Sequence, residues 1–256
     1  MRLHRNWWML VWALTAAGCH RSRPEPPATP ETQLQRALSL FRTGEFRDAQ
    51  LRFQRLSFEL PPGHPELVTV RYHLAECYFQ TGDHLQAAQE FRRIADEFPS
   101  SEYAALALLR AGDANLRLWR RPELDPTYGD VALATYQELA GRYPDSEAAA
   151  RARAHVRRLQ NQFAEKTYQT GVFYLKRKAF DSAIIYFKDV IAHYPEAERA
   201  PDALLRLVDS YRAIEYTEEL RETCAHLRRF YPRAAGLERT CPASAATSLA
   251  VPPVRP

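Results

Sequence analysis

Few residues of this 256-residue chain have the spacing for chemistry. His73, Cys77 and His84 fall in one short stretch, and the first two stand at i, i+4. On a helix such a pair could share a metal ion. Cys77 is flanked by Glu76 and Tyr78, and a fourth ligand is not evident in the sequence. The simpler reading is a small buried thiol beside surface imidazoles, with neither metal nor other cofactor. The sequence carries no Gly-rich phosphate loop, HExxH pair or nucleophile elbow. Its nine glycines are scattered, which argues against a nucleotide site. Without a convergent set of nucleophile, base and metal ligands, the chain reads as a non-enzyme.

The helices that would position these residues recur. An Ala, a ring four residues later and a Pro eight residues after that form a repeated pattern. It reads Ala49–Phe53–Pro61, Ala87–Phe91–Pro99, Ala132–Tyr136–Pro144 and Ala183–Phe187–Pro195, with a weaker copy at Leu220–Cys224–Pro232. A preceding helix agrees in Ala37–Leu40–Gly44 and Ala75–Tyr78–Gly82, and more loosely in Gly171–Tyr174. The apolar positions of the stretch 72–99 follow the i, i+4, i+7 stripe of a half-buried helix, and Pro99 stops it. The pattern resembles the tetratricopeptide repeat and predicts an all-α superhelix of about five helical hairpins over 31–232. The prolines stand 38, 45, 51 and 37 residues apart, so longer helices and one insertion are expected.

That insertion is placed at 120–130, dividing an N-terminal half (31–119) from a C-terminal half (131–232). The third first-helix is expected from about Tyr103 to Trp119, and its second helix from Val131 to Tyr143. Residues 146–178 contain no Pro and one Gly, and read as one long helix or as two joined near Gln160–Ala164. Arg151, Arg153, Arg157 and Arg158 cluster there, as a solvated face or a partner patch. In a curved array the first helices line the concave side. Leu38, Phe41 and Arg42 would face it from the first hairpin, and Tyr72, Glu76 and Phe79 from the second. Exposed rings beside charges suit an extended, aromatic-ended peptide; the alternative is that these rings pack on neighbouring helices.

Residues 1–18 carry Arg2 and Arg5 before an apolar run of 11 residues, Trp7 to Ala17. A membrane span needs about 20 residues, so this is a secretory leader. Its end, LTAAGC, resembles the bacterial lipobox, which makes Cys19 the expected lipidated residue. Residues 19–30 would form a Pro-rich, lipid-anchored tether, and 233–256 a disordered tail. Without Arg2 and Arg5 the chain has 33 Lys+Arg against 31 Asp+Glu, which gives no reason to expect nucleic acid. In an oxidising compartment Cys224 and Cys241 could form a disulfide, although Cys224 also fits a buried core thiol.

The stretch from Glu123 to Pro195 resembles the BamD family, lipoproteins of the outer-membrane β-barrel assembly machinery. The matching features are the Asp125-Pro126 loop, the YPDS helix start at 143–146, and Arg158-Leu159 leading into FAEKTYQTGVFYLKRKAF. The lipobox, hairpin number and length also fit. The chain departs from the family at Tyr186, where members often carry Arg. The resemblance implies a periplasm-facing, lipid-anchored outer-membrane scaffold. Its C-terminal half would bind the barrel-inserting Omp85-type subunit, with Arg121, Glu123, Asp125, Lys176 and Arg177 as candidate contacts. Its N-terminal repeats would bind unfolded outer-membrane proteins, which end in aromatic C-termini. Alternatives are a pilotin for secretin or pilus assembly, or a Tol-Pal-linked periplasmic coordinator. Plain pilotins keep 34-residue spacing, and the coordinator carries an N-terminal coiled coil that residues 20–30 cannot form.

Overall fold

The computed structural model describes residues 29–120 and 125–242. Cys19, the leader and most of the tether lie outside them, as do Arg121 and Glu123. The described residues form helices and turns only. In chain order the helices are α1 (Pro30–Thr43), α2 (Phe46–Glu59), α3 (Leu67–Thr81), α4 (His84–Glu97), α5 (Ala104–Leu118), α6 (Thr127–Arg142), α7 (Glu147–Lys176), α8 (Phe180–His193), α9 (Ala200–Ala213), α10 (Thr217–Phe230) and α11 (Leu237–Thr240). The first ten form five hairpins, each packed on the next: this is the tetratricopeptide array that the repeats predict. None of these helices is long and apolar enough to cross a membrane.

The recurring residues are the core. Ala49, Phe53, Ala87, Phe91, Ala132, Tyr136, Ala183 and Phe187 are all fully buried. Two of the rings sit directly over a glycine of the preceding helix: a Cβ built on Gly112 of α5 would lie 2.5 Å from the Tyr136 ring. A Cβ built on Gly171 of α7 would lie 2.7 Å from the Phe187 ring. The hairpin turns follow two chemistries. Gly44 and Gly82 end α1 and α3 at positive φ, where the missing Cβ removes the steric cost. Lys178 and Glu215 adopt the same left-handed conformation in the fourth and fifth hairpins without glycine, which left those turns faint in the sequence. Neighbouring repeats are also latched at their ends. The Tyr143 hydroxyl donates to the Pro99 carbonyl and the Tyr231 hydroxyl to the Pro195 carbonyl, each at 2.9 Å.

Two expectations need correction, and one that the sequence left open is decided. The insertion is shorter than 120–130, because α6 already starts at Thr127 and continues through Asp130. Asp125 Oδ1 accepts the Thr127 amide at 2.9 Å, and the Trp119 indole donates to the Asp125 carbonyl at 2.8 Å, so the end of the insertion nucleates the helix. Next, 146–178 is one helix. Ser146 caps α7 by accepting the Ala149 amide at 3.1 Å, and nothing inside its 30 residues breaks the ladder. At 1.5 Å per residue it is about 45 Å long. It packs on α5 and α6 on one side and on α8 and α9 on the other, joining the two halves. Last, the tail from 233 is built into the fold as far as 242. Leu237 and Cys241 are buried against the fifth hairpin, and a disulfide joins Cys241 to Cys224 of α10, with Cα atoms 5.7 Å apart. Arg212 and Arg228 donate to the Thr240 and Cys241 carbonyls.

Gly171→Ala tests the ring-on-glycine contact. The added methyl gains about 1 kcal/mol of helix propensity. It meets an overpacking cost of about 1–3 kcal/mol. The expected outcome is a lower midpoint in thermal unfolding followed by circular dichroism, with helicity unchanged at 20 °C.

Candidate peptide and partner surfaces

The inner stripe of α3 is where the sequence places a peptide-binding surface, and its polar residues are already engaged. Tyr72 and Glu76 are each only 8% exposed. The Tyr72 hydroxyl donates to Glu76 Oε1 at 3.1 Å. Arg110 of α5 clamps the same carboxylate from the other side, Nε to Oε1 at 2.5 Å and Nη2 to Oε2 at 2.7 Å. Its Nη1 donates to Asp113 at 3.2 Å, and Asp113 in turn accepts the Tyr136 hydroxyl of α6 at 2.8 Å. The imidazole of His155 on α7 stacks on Tyr136, with centroids 4.7 Å apart. Four helices are thus joined by one continuous set of polar and ring contacts.

Electrostatics follow from this burial. Both tyrosine hydroxyls are held well above the ordinary phenol value, first by burial and then by Glu76 and Asp113 respectively. Burial works against the Arg110 charge, but the Glu76 and Asp113 carboxylates outweigh it and raise its pKa. Burial holds His155 below the ordinary imidazole value; Asp113 opposes that, and Arg158 and Arg151 reinforce it.

Tyr72 and Glu76 are therefore interior groups that position Arg110, a correction to the expected exposed pair. The alternative reading, rings packed on neighbouring helices, describes Tyr72, which lies against Phe91 and Tyr103. Phe79 remains half-buried with the Arg110 guanidinium 3.9 Å over its ring. Phe41 is half-buried between Phe46 and His73, Leu38 is half-buried against the first core cluster, and Arg42 is exposed. His73 is not a surface imidazole: its ring stacks on Phe53 and its Nδ1 lies 2.8 Å from the Thr69 carbonyl. Cys77 is fully buried, and burial followed by the Glu76 charge pushes its thiol up to about 12.

At the candidate partner surface, Asp125 is exposed, and its carboxyl is held down by the Thr127 hydroxyl and amide. Lys176 and Arg177 close α7 and are exposed. The Arg177 guanidinium lies 3.6 Å over the ring of Phe173, itself 47% exposed. Tyr174 stacks flat on Tyr186 of α8 at 5.3 Å, and Ile185 beside it is 65% exposed. Phe173, Tyr174 and Ile185 were missing from the sequence reading, as were Arg110, Asp113 and His155. The spacing Arg110, Asp113, Arg117 (i, i+3, i+7) was the available clue to an inner stripe on α5.

Arg110→Met strands the Glu76 and Asp113 carboxylates in a mostly buried site. Removing one partner of such a pair costs about 3–5 kcal/mol, expected as a lower urea midpoint. The histidine sets a pH dependence. The unfolded chain takes a proton as pH falls through about 6.5, while His155 in the fold resists it. The unfolded state then binds more protons, so stability falls on acidification from pH 7 until the depressed folded value is passed. In thermal melts from pH 7 to 5, His155→Gln is expected to flatten this fall.

Comparison with known proteins places the chain. A family model described as "YfiO: Outer membrane lipoprotein" matches residues 20–227. The outer membrane protein assembly factor BamD of Vibrio cholerae is 26% identical over 218 residues, covering 80% of this chain and 90% of that relative. The Caulobacter vibrioides protein of the same name is 34% identical over 108 residues, 42% of this chain and 35% of the relative's length. Among solved structures, the TPR2AB-domain:pHSP90 complex of yeast Sti1 aligns at 13% identity with a TM-score of 0.43, over 79% of this chain and 78% of that one. The model match spans most of the chain, and the chain belongs to the YfiO family of outer membrane lipoproteins.

Proposed function

We propose that this protein is a non-enzymatic scaffold for the assembly of β-barrel proteins into the outer membrane. The observation that carries this reading is the family match over 20–227, which takes in four hairpins and most of the fifth. The V. cholerae relative, aligned over 90% of its length, is an outer membrane protein assembly factor. Cys19 is the lipidated residue, and the tether holds the array at the periplasmic face of the outer membrane. The C-terminal half binds a barrel-inserting subunit of Omp85 type. Its contacts are the charged residues Lys176 and Arg177 at the end of α7, with Asp125 and the adjoining Arg121 and Glu123. The rings of Phe173 and the Tyr174–Tyr186 stack beside Arg177 support this, since aromatics and Arg are enriched at interface centres.

The N-terminal repeats receive the aromatic C-terminal segments of unfolded outer-membrane proteins. Phe41, Leu38 and Arg42 supply one part of that surface, and Phe79 with Arg110 the other. Tyr72 and Glu76 serve it from behind by fixing the guanidinium over the Phe79 ring. A guanidinium held between carboxylates and a ring gives up little side-chain freedom when a peptide carboxylate or ring arrives, which favours binding.

Affinity purification of the full lipoprotein from detergent-solubilised outer membranes tests the assignment. A large barrel protein with periplasmic repeat domains is the expected companion, and Lys176→Glu with Arg177→Glu is expected to reduce its recovery. A secretin or pilus component in its place would move the chain to the pilotin class.

A further inference from the structure

The exposed face of α2 is apolar and basic where a solenoid end is normally polar. Phe58 is 80% exposed and Leu51 65%. They stand at i, i+7 with Arg55 between them, which puts all three on one helical stripe. Arg47, Arg52 and Arg55 are exposed and make no ion pair within the described residues. Beside the stripe a shallow groove between α1 and α2 is lined by Gln33, Leu40, Asp48, Leu51, Arg52 and Arg55. Among the described residues no hairpin precedes α1 and α2, and none covers this face.

Its place in the chain indicates what covers it. The helices α1 and α2 run antiparallel around the turn at Gly44, and Leu34 near the start of α1 packs in one cluster with Leu56 and Leu60 near the end of α2. Phe58 therefore lies at the end of the hairpin where the chain enters at Thr29 and Pro30. Thr29 stands ten positions after Cys19, so ten Cα–Cα steps join them. Fully extended they reach no more than about 35 Å.

We propose that this face of α2 docks on the anionic phospholipid surface to which Cys19 is anchored, with Phe58 and Leu51 entering the headgroup boundary and Arg47, Arg52 and Arg55 meeting the phosphates. The inference rests on the lipid-anchored reading above. A helix with Phe and Leu on one face and arginines flanking them is the chemistry of interfacial membrane binding. On α2 itself three arginines stand against Asp48 and Glu59. Docking would fix the orientation of the whole array, since the five hairpins pack continuously onto the first.

The test uses the full mature lipoprotein carrying Phe58→Trp, reconstituted on phosphatidylethanolamine–phosphatidylglycerol vesicles with brominated acyl chains. After leader cleavage Trp119 is the sole native tryptophan, half-buried on α5, so the parent protein supplies the background. The expected result is a blue shift and loss of emission from position 58 in brominated vesicles, weakened on pure phosphatidylcholine. A second arm measures unacylated Cys19→Ser protein, where Leu51→Glu with Phe58→Glu should lower vesicle affinity about tenfold or more. Both positions are exposed, so circular dichroism should show an unchanged fold. Vesicle flotation of the acylated parent reads the anchor separately. A parent that floats while position 58 shows no added quenching overturns the docking and leaves the anchor standing. A parent that fails to float overturns the anchor, and quenching of position 58 by added vesicles then still decides the docking. A blue shift that depends on protein concentration and needs no lipid would assign the face to a second copy of the chain and overturn the proposal.

Discussion

A helical hairpin with an apolar stripe on each helix cannot bury both stripes by itself. That constraint governs this molecule: every ring of the repeat is covered only because another hairpin follows. Phe53, Phe91, Tyr136 and Phe187 reach complete burial by this route. Gly112 below Tyr136 and Gly171 below Phe187 leave no room for a single methyl. Stability is consequently spread along the array, and local damage is felt at the two interfaces each hairpin makes.

The same stacking creates a polar interior. The first helices approach closely enough for Arg110 to reach Glu76 across from α5 to α3, and within the third hairpin Asp113 meets Tyr136 of α6. A buried ion pair of this kind is weak evidence for net stability, since desolvation offsets most of the attraction. Its consequence here is positional. Glu76 and Asp113 hold the Arg110 guanidinium on the face of Phe79, so a charged and aromatic surface is rigid before anything binds.

The two ends of the array differ. The C-terminal end is closed by α11, with Leu237 and Cys241 buried and the disulfide to Cys224 holding the segment down. At the N-terminal end Phe58 and Leu51 are exposed beside arginines that form no ion pair among the described residues. In a repeat protein the terminal faces are the ones free to diverge, because no neighbouring repeat constrains their side chains. The uncapped end is also the one from which the tether leaves.

The sequence alone determined the helical hairpins, their number, and the residues at their centre. Ala-ring-Pro spacing is a local property, and burial of those positions follows from any stacking of the hairpins. The start of α6 was misjudged, because the Asp125–Thr127 turn bond and the Trp119–Asp125 bond act across the insertion rather than along a stripe. The tail misled similarly: small, polar and proline-rich by composition, it is ordered as far as 242 by a disulfide and two arginine contacts from α9 and α10. Only the tertiary structure decided the fate of Tyr72, Glu76 and His73. Periodicity places each on a side of its helix, but whether that side meets solvent depends on where α1, α2 and α5 lie against it. That is set by the sum of small rotations between successive hairpins, which no single stretch of sequence encodes.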